Sequence, residues 1–126
     1  MTISANGTHL IFNDNTTQNT APKPVTSSIV AWVSFNGSTT PTINGSDNVS
    51  GVTYNGAAGK YTVSFPDLGT DAYAVSAIGY STNPDGEMFA HVLSQTSTSV
   101  QVQFSNASDA RVNSGAFTSV AIMKTV

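Results

Sequence analysis

The amino-acid sequence predicts an all-β fold, a small antiparallel β-sandwich or jelly-roll-like domain with an extended N-terminal arm. Ser, Thr and Asn supply 45 of the 126 residues, and these side chains compete with the backbone hydrogen bonds of a helix. Short apolar stretches alternate with period two, which is the repeat of a strand. Clusters of Asn, Gly and Pro separate these stretches, and no window carries the apolar stripe of a capped helix.

The first 27 residues differ in composition from the rest of the chain. They hold one strand candidate, Thr8 to Phe12, followed by the wholly polar stretch 13–20. Pro22 and Pro24 then favour an extended backbone, because a residue that precedes proline is kept out of the helical region. We therefore expect residues 1–27 to form an attachment arm and residues 28–126 to form the sandwich domain.

The body of the chain predicts eight short strands. They are Ser28–Phe35, Pro41–Ile43, Val49–Tyr54, Lys60–Phe65, Ala72–Tyr80, Met88–Leu93, Ser99–Ser105 and Phe117–Lys124. The segments 44–46 and 55–59 are expected to be turns, because Asn-Gly pairs favour hairpin loops. Eight strands at this spacing are typical of a sandwich or jelly roll.

The first strand of the body is apolar on both faces. Its alternation places Ile29, Ala31, Val33 and Phe35 on one face and Val30 with Trp32 on the other. A single-domain core needs one such face, so the second predicts a subunit interface. The other strands predict one inward face each. Their inward residues are Tyr61, Val63 and Phe65, then Tyr73, Val75 and Ala77, then Val100, Val102 and Phe104, and finally Val120 and Ile122.

Charge and hydropathy argue against several classes of function. Charged residues make up 9% of the chain and the net charge is −3, whereas ordinary soluble domains are about 25% charged. The four basic residues are scattered, so we expect no nucleic-acid binding. No stretch approaches a membrane span, and the N-terminus has no signal-peptide pattern. We expect no membrane insertion, and export by lysis or as part of a particle.

The titratable residues predict no catalytic, cofactor or metal site. Glu87 and His91 lie four residues apart, on one face of a strand, but a lone histidine specifies no metal. Asp67, Asp71 and Asp85 are the other candidates for a carboxylate pair of the glycosidase type, yet they lie in or beside turns, where Asp is common. We therefore expect a protein that is not an enzyme and has no cofactor. A polysaccharide-degrading enzyme is the less favoured alternative.

Three segments, in this order and spacing, resemble the distal β domain of tail fibre proteins of tailed bacteriophages. They are 29–37 (IVAWVSFNG), 48–52 (NVSGV) and 59–65 (GKYTVSF), and the resemblance covers about residues 29–123. Residues 3–21 are similar to a fibre stretch that intertwines three chains. The chain departs from the family at 45–47, where Gly-Ser-Asp replaces a common Arg-Ala-Ser step.

The resemblance implies a homotrimeric virion protein, a short tail fibre or fibre tip that attaches the phage to a host-surface receptor. The trimer interface is expected at Val30, Trp32, Ala121 and Met123. Trp32 itself could stack on a sugar, but its position within a strand favours burial. Loops 81–86 and 106–115 are expected to face the receptor, a bacterial surface glycan or protein. The expected receptor-facing residues are Tyr54, Tyr80, Asn83, Asp85, Asn106, Asp109 and Arg111.

The expected partners are further copies of the chain and, through the arm, other virion proteins of the tail, baseplate or capsid. The expected location is the virion. A trimeric capsid decoration or head-fibre protein is the alternative that the sequence leaves open.

Overall fold

The computed structural model describes the backbone of residues 3–5, 10–12 and 17–18, and residues 27–82 and 86–125 in full. Three short strands lie in the N-terminal segment: β1 (Ile3–Ala5), β2 (Leu10–Phe12) and β3 (Thr17–Gln18). They pair in the antiparallel order β1-β2-β3. The described part of the strand predicted at Thr8 to Phe12, residues 10–12, has a partner on each side, whereas Thr8 and His9 lie outside the described residues.

Eight strands form the body, as the sequence predicts. They are β4 (Ser27–Asn36), β5 (Thr42–Asp47), β6 (Gly51–Tyr54), β7 (Lys60–Ser64), β8 (Ala74–Ile78), β9 (Met88–Gln95), β10 (Ser99–Asn106) and β11 (Thr118–Thr125). They form two antiparallel sheets, a first sheet of order β5-β4-β11-β8 and a second sheet of order β6-β7-β10-β9. The described residues contain no helix, and the all-β sandwich prediction is confirmed.

The core lies between the central strands of the two sheets. The inward residues predicted on β7, β10 and β11 are buried, and they pack with Ala31, Val33 and Phe35 of β4. Tyr61 joins the layers, because its ring meets Phe35 of the opposite sheet at 5.4 Å between centroids. Its hydroxyl donates a hydrogen bond to the Gly37 carbonyl. Burial raises the pKa of Tyr61 to about 12, although a backbone hydrogen bond from Ser114 opposes the shift.

A β-bulge changes the expected alternation at the start of β4. Ile122 pairs with Ala31 but Met123 pairs with Ile29, so Val30 is the extra residue on β4. A bulge reverses which face the residues beyond it occupy. Ile29, predicted to lie in the core, is therefore 57% exposed, whereas Val30 packs against the core cluster.

The expected turn at 44–46 is wrong, because these residues continue β5. Asn44 is the extra residue of a second bulge, since Ser34 pairs with Gly45 and Phe35 pairs with Ile43. The Asn44 amide donates to the Ala116 carbonyl at 2.7 Å. Gly45 lies under the ring of Trp32, whose Cη2 is 3.5 Å from the position that a Cβ at residue 45 would occupy. The strand ends instead at Asp47, and Asn48, the next residue, has a φ of 54°.

The two ends of the sandwich carry different parts of the chain. Ser27, where the body begins, pairs with Thr125 at one end. The connections 48–50, 65–73 and 96–98 lie at that same end. The connections 37–41, 55–59 and 107–117 lie at the opposite end, which we call the distal end, together with residues 79–82 and 86–87 of the connection between β8 and β9. The described residues of the loops predicted to face a receptor therefore lie far from the point where the N-terminal segment joins the body.

Candidate functional site

The outer face of the first sheet is apolar and nearly free of charge. Its cross-strand rows follow from the pairing of β8, β11, β4 and β5. The three rows are Ile78–Ser119–Ser34–Gly45, Ser76–Ala121–Trp32–Asp47 and Ala74–Met123–Ile29. Small residues fill most positions of the face, Trp32 lies in the middle row on a central strand, and Ile78, Met123 and Ile29 lie in the outer rows. Asp47, on an edge strand, is the only charged residue in these rows.

Several large side chains of this face are open to solvent in the single chain. Trp32 is 41% exposed, Ile78 62% and Phe117 63%. Phe117, just before β11, meets Tyr80 edge-on at 5.3 Å between ring centroids. Trp32 is thus less buried within one chain than expected, because its ring lies over Gly45 on the outer surface. Of the predicted interface residues, Trp32, Ala121 and Met123 share this face, whereas Val30 packs toward the core.

The outer face of the second sheet is mostly polar. Lys60, Gln103 and His91 form one cross-strand row. Ser105 pairs with Phe89 on one side and forms an isolated bridge with Arg111 on the other, which gives a second row. Residues that lie directly opposite in antiparallel pairs project to the same face. Two basic side chains therefore flank a polar floor on β10, and an imidazole and an aromatic ring flank its other side.

Two clefts open beside the turn that follows β10. The Tyr80 cleft has a volume of about 520 Å³, and its lining includes Tyr80, Glu87, Asn106 and Asn113. The Arg111 cleft has a volume of about 450 Å³ and is lined by His91, Val92, Leu93, Gln103, Ser105, Asp109 and Arg111. The structure thus places Tyr80 with Asn106, and Asp109 with Arg111, as parts of two neighbouring clefts.

The Asn106 side chain organises the turn between the two clefts. Its Oδ1 accepts hydrogen bonds from the backbone amides of Ser108 and Ala110, each at 3.0 Å. Asp109 adopts a φ of 61°, in the left-handed region that Asp tolerates better than most residues. The chain then returns along β10, where the Val112 amide donates to the Phe104 carbonyl at 3.2 Å. This return carries Arg111 back to the outer face of the second sheet.

The remaining predicted receptor-facing residues lie elsewhere. Tyr54 packs edge-on against Tyr61 at 5.8 Å and contacts the core cluster, so it lines neither cleft. Asn83 and Asp85 fall outside the described residues. Sequence reasoning missed Gln103 and Ser105, because period-two alternation marks them only as outward residues. It also missed Ile78 and Phe117, whose common face depends on how β8 and β11 pair.

The carboxylates considered for catalysis are divided between sites. Asp67 and Asp71 line a shallow cleft of about 330 Å³ near the 96–98 hairpin loop, while Glu87 lines the Tyr80 cleft. The Gly69 amide donates to Asp67 Oδ1 at 2.8 Å, and this bond lowers the pKa of Asp67, with a smaller contribution from Ser97. A lowered pKa does not suit a general acid, which needs a raised one. No group of three potential metal ligands occurs among the residues described.

Comparison of the chain with protein-family models, curated proteins and solved structures finds no match. In the described parts of the chain, no helix has the length and apolar character needed to cross a membrane. The two outer faces and the distal clefts are therefore the features from which a function has to be inferred.

Proposed function

We propose that this chain is a virion protein of a tailed bacteriophage, the self-associating tip of a short tail fibre that attaches to a host-surface receptor. The observation that carries the proposal is the contrast between the two outer faces. One is apolar and includes Trp32, Ile78 and Phe117, and the other is mostly polar. The resemblance of residues 29–123 to tail fibre domains is the basis for proposing this family and a trimeric assembly.

The apolar face favours association between copies of the chain. An antiparallel sheet in a single-domain sandwich normally presents a polar outer face. Here Gly, Ala and Ser occupy most positions of the face and allow close approach, while Trp32 on a central strand and the large apolar residues in the outer rows supply buried area. Apolar surface removed from water contributes about 25 cal/mol per Å². A threefold arrangement with the first sheets inward leaves the polar second sheets facing solvent.

The arrangement of the ends favours attachment through the distal loops. The body begins at Ser27 at one end, and the Tyr80 and Arg111 clefts lie toward the other. An N-terminal segment that joins the virion would hold these clefts outward. Three weak sites in each tip, and several tips in each particle, would act by avidity.

Sedimentation velocity on the purified chain tests self-association directly. The wild-type chain is expected to sediment as a trimer. The substitution Trp32→Asp places a charge at the centre of the apolar face and is expected to give a folded monomer. Phe89→Asp is the matched control, since Phe89 is 48% exposed on the outer face of the second sheet, and it should leave the trimer intact. A monomeric wild-type chain, or a trimer of Trp32→Asp, would contradict the proposal.

Gold-labelled antibodies against the chain locate it on intact particles. Label at the tail tip supports the fibre assignment. Label on the head would instead support the capsid decoration or head-fibre alternative, which uses the same association face.

A further inference from the structure

We infer that the Arg111 cleft binds an acidic saccharide, with the Arg111 guanidinium holding the sugar carboxylate. The inference rests on the proposed attachment function and names the chemical class of the receptor. It is carried by two side chains that line this cleft, a cation without an ion pair and a largely buried amide that remains accessible from the cleft.

Arg111 is a cation with no partner of its own in the described structure. It forms no ion pair within 4.0 Å and no side-chain hydrogen bond, although Asp109 lines the same cleft. A guanidinium presents five donors in a planar fork that matches a carboxylate in two-point contact. Lys60 lies on the same face, directly across β10 from His91 in the row through Gln103. The charge of this part of the surface therefore favours an anionic ligand.

Gln103 supplies a second, independent indication of a ligand. It is only 8% exposed, yet its side-chain amide forms no hydrogen bond with any described residue. None of its polar atoms is wholly occluded, so the amide reaches the floor of the cleft. A polar group that opens onto a cleft can hydrogen-bond either to water or to a ligand that displaces the water. The amide has both donors and an acceptor to offer to sugar hydroxyls.

The rest of the cleft fits a pyranose ring. Ser105 is 5% exposed, and its hydroxyl lies 3.4 Å from His91 Nε2, near the upper limit for a hydrogen bond. Leu93 and Val92 are each 44% exposed at the cleft. They give an apolar wall for the C–H face of a sugar, opposite the Arg111 side. A volume of about 450 Å³ is that of a small-molecule site.

Matched pairs of sugars test the inference on the purified full chain. Methyl glucuronide and methyl glucoside differ only in the carboxylate at C6, as do the galacturonide and the galactoside. Each is titrated to millimolar concentration against ¹⁵N-labelled protein while backbone amide resonances are followed. We expect saturable shifts at residues 91–93, 103–105 and 109–111 with an acidic sugar, and at least tenfold weaker binding of its neutral counterpart. Equal response to both members of every pair would overturn the inference.

Variants assign the contact to the guanidinium. Arg111→Ala should lose at least tenfold in affinity, and Arg111→Lys should lose part of it, because an ammonium cannot make the two-point contact. Lys124→Ala is the matched control, since it removes a basic residue of β11 outside the cleft, and it should bind as wild type does. Wild-type affinity in Arg111→Ala would refute the assigned role.

Two bacterial sources of such a carboxylate are distinguished by further titrations, with uronate oligosaccharides of capsules and with the keto-acid sugar of lipopolysaccharide core. Binding of either supports the inference and identifies the source, and binding of neither acid class overturns it. The proposed function has separate readouts. A trimer located at the tail tip that binds no acidic sugar would refute this inference alone, whereas a monomer that binds would refute the fibre assignment alone.

Discussion

Two glycines of one hairpin loop allow the packing of the distal end to be measured. Gly56 and Gly59 both lie in the 55–59 loop, with φ values of 72° and 73°. A Cβ on Gly56 would meet no atom within 4 Å. A Cβ on Gly59 would lie 2.5 Å from both the Phe104 and the Val112 carbonyl oxygens. An alanine at either position has to adopt a left-handed backbone conformation, but only an alanine at residue 59 would also collide with neighbouring atoms. Gly56→Ala is therefore the matched control for Gly59→Ala.

The expected magnitudes follow from these distances. An L-residue in the left-handed region costs about 1 to 2 kcal/mol, which is the whole expected effect of Gly56→Ala. Gly59→Ala adds overpacking against rigid backbone, about 1 to 3 kcal/mol. It also threatens two hydrogen bonds, from the Gly59 amide to Asn113 Oδ1 at 2.8 Å and from the Phe104 amide to the Gly59 carbonyl at 2.9 Å. Each is worth about 1 kcal/mol, so we expect a loss of about 3 to 5 kcal/mol.

Urea unfolding at one fixed protein concentration measures both variants, because the proposed self-association would make the apparent stability depend on concentration. Gly59→Ala is expected to lose about 2 kcal/mol more than Gly56→Ala, a difference of roughly 10 °C in Tm for a domain of this size. Gly59 also contacts Val112 and Asn113, which follow Arg111 in the chain. The affinity for an acidic sugar should therefore be lower in Gly59→Ala. Equal free energies of unfolding for the two variants would show that the Phe104 and Val112 carbonyls move aside for a Cβ at residue 59, and would refute the packing argument.

Three further predictions concern the core and the loops. Burial raises the pKa of Tyr61 to about 12, so the unfolded chain ionises first, and the contribution of Tyr61 to stability, present below pH 10, should fall by about 1.4 kcal/mol per pH unit between pH 10 and 12. Tyr61→Phe should reduce the alkaline slope in urea titrations, and the part that remains includes Tyr73, whose pKa burial also raises. The pKa of Asp67 is lowered by the Gly69 amide, so its stabilising effect is present above about pH 4 and is lost as pH falls through the folded-state pKa, and Asp67→Asn should flatten the acid limb of Tm against pH. Phe104, fully buried and 6.0 Å from the Tyr61 ring, should cost about 3 to 5 kcal/mol when replaced by Ala, and a loss below 1 kcal/mol by calorimetry would contradict its place in the core.

The sequence predicts the core well because strand alternation is a local property. Tyr61 and Val63 alternate with polar residues, and the side-chain period of a strand then determines which residues face inward. Ile29 and the segment 44–46 were misassigned because a bulge depends on the partner strand. Whether a residue is the extra one in a pair follows from the register with β11 or β5, which lie far away in the sequence.

The lining of the clefts could not be predicted fully from the sequence, because it too depends on how strands that are distant in the sequence pair. Arg111 and Asp109 were predicted from one loop and do line one cleft. Gln103 joins them only through the pairing of β10 with β9 and the return of the 107–112 segment along β10. Its burial, and the absence of a partner for its amide among the described residues, depend on three-dimensional neighbours. Single-sequence patterns carry no signal for either property.

The outer face of the first sheet and the Arg111 cleft are expected to respond to salt in opposite ways. Self-association and sugar binding can therefore be distinguished in a single protein sample. The apolar outer face of the first sheet, where we propose that the copies associate, carries a single charge, Asp47, in its rows, so salt has few charges to screen there. Salts that are excluded from protein surfaces strengthen apolar burial. Carboxylate binding at Arg111, assisted by Lys60 on the same face, is electrostatic and exposed. The Debye length falls from about 10 Å at 0.1 M salt to about 3 Å at 1 M.

Sedimentation and sugar titration of the same sample, at 0.05 M and 1 M sodium sulfate or chloride, measure both responses. The trimer is expected to persist or tighten at high salt, while affinity for the acidic sugar falls severalfold. Dissociation of the trimer by salt would mean that charges outside the apolar rows hold the copies together. Salt-independent sugar binding would mean that the apolar wall of the cleft, and not the guanidinium, supplies the affinity. The two responses differ because the proposed self-association buries uncharged surface, whereas the proposed sugar binding pairs exposed charges.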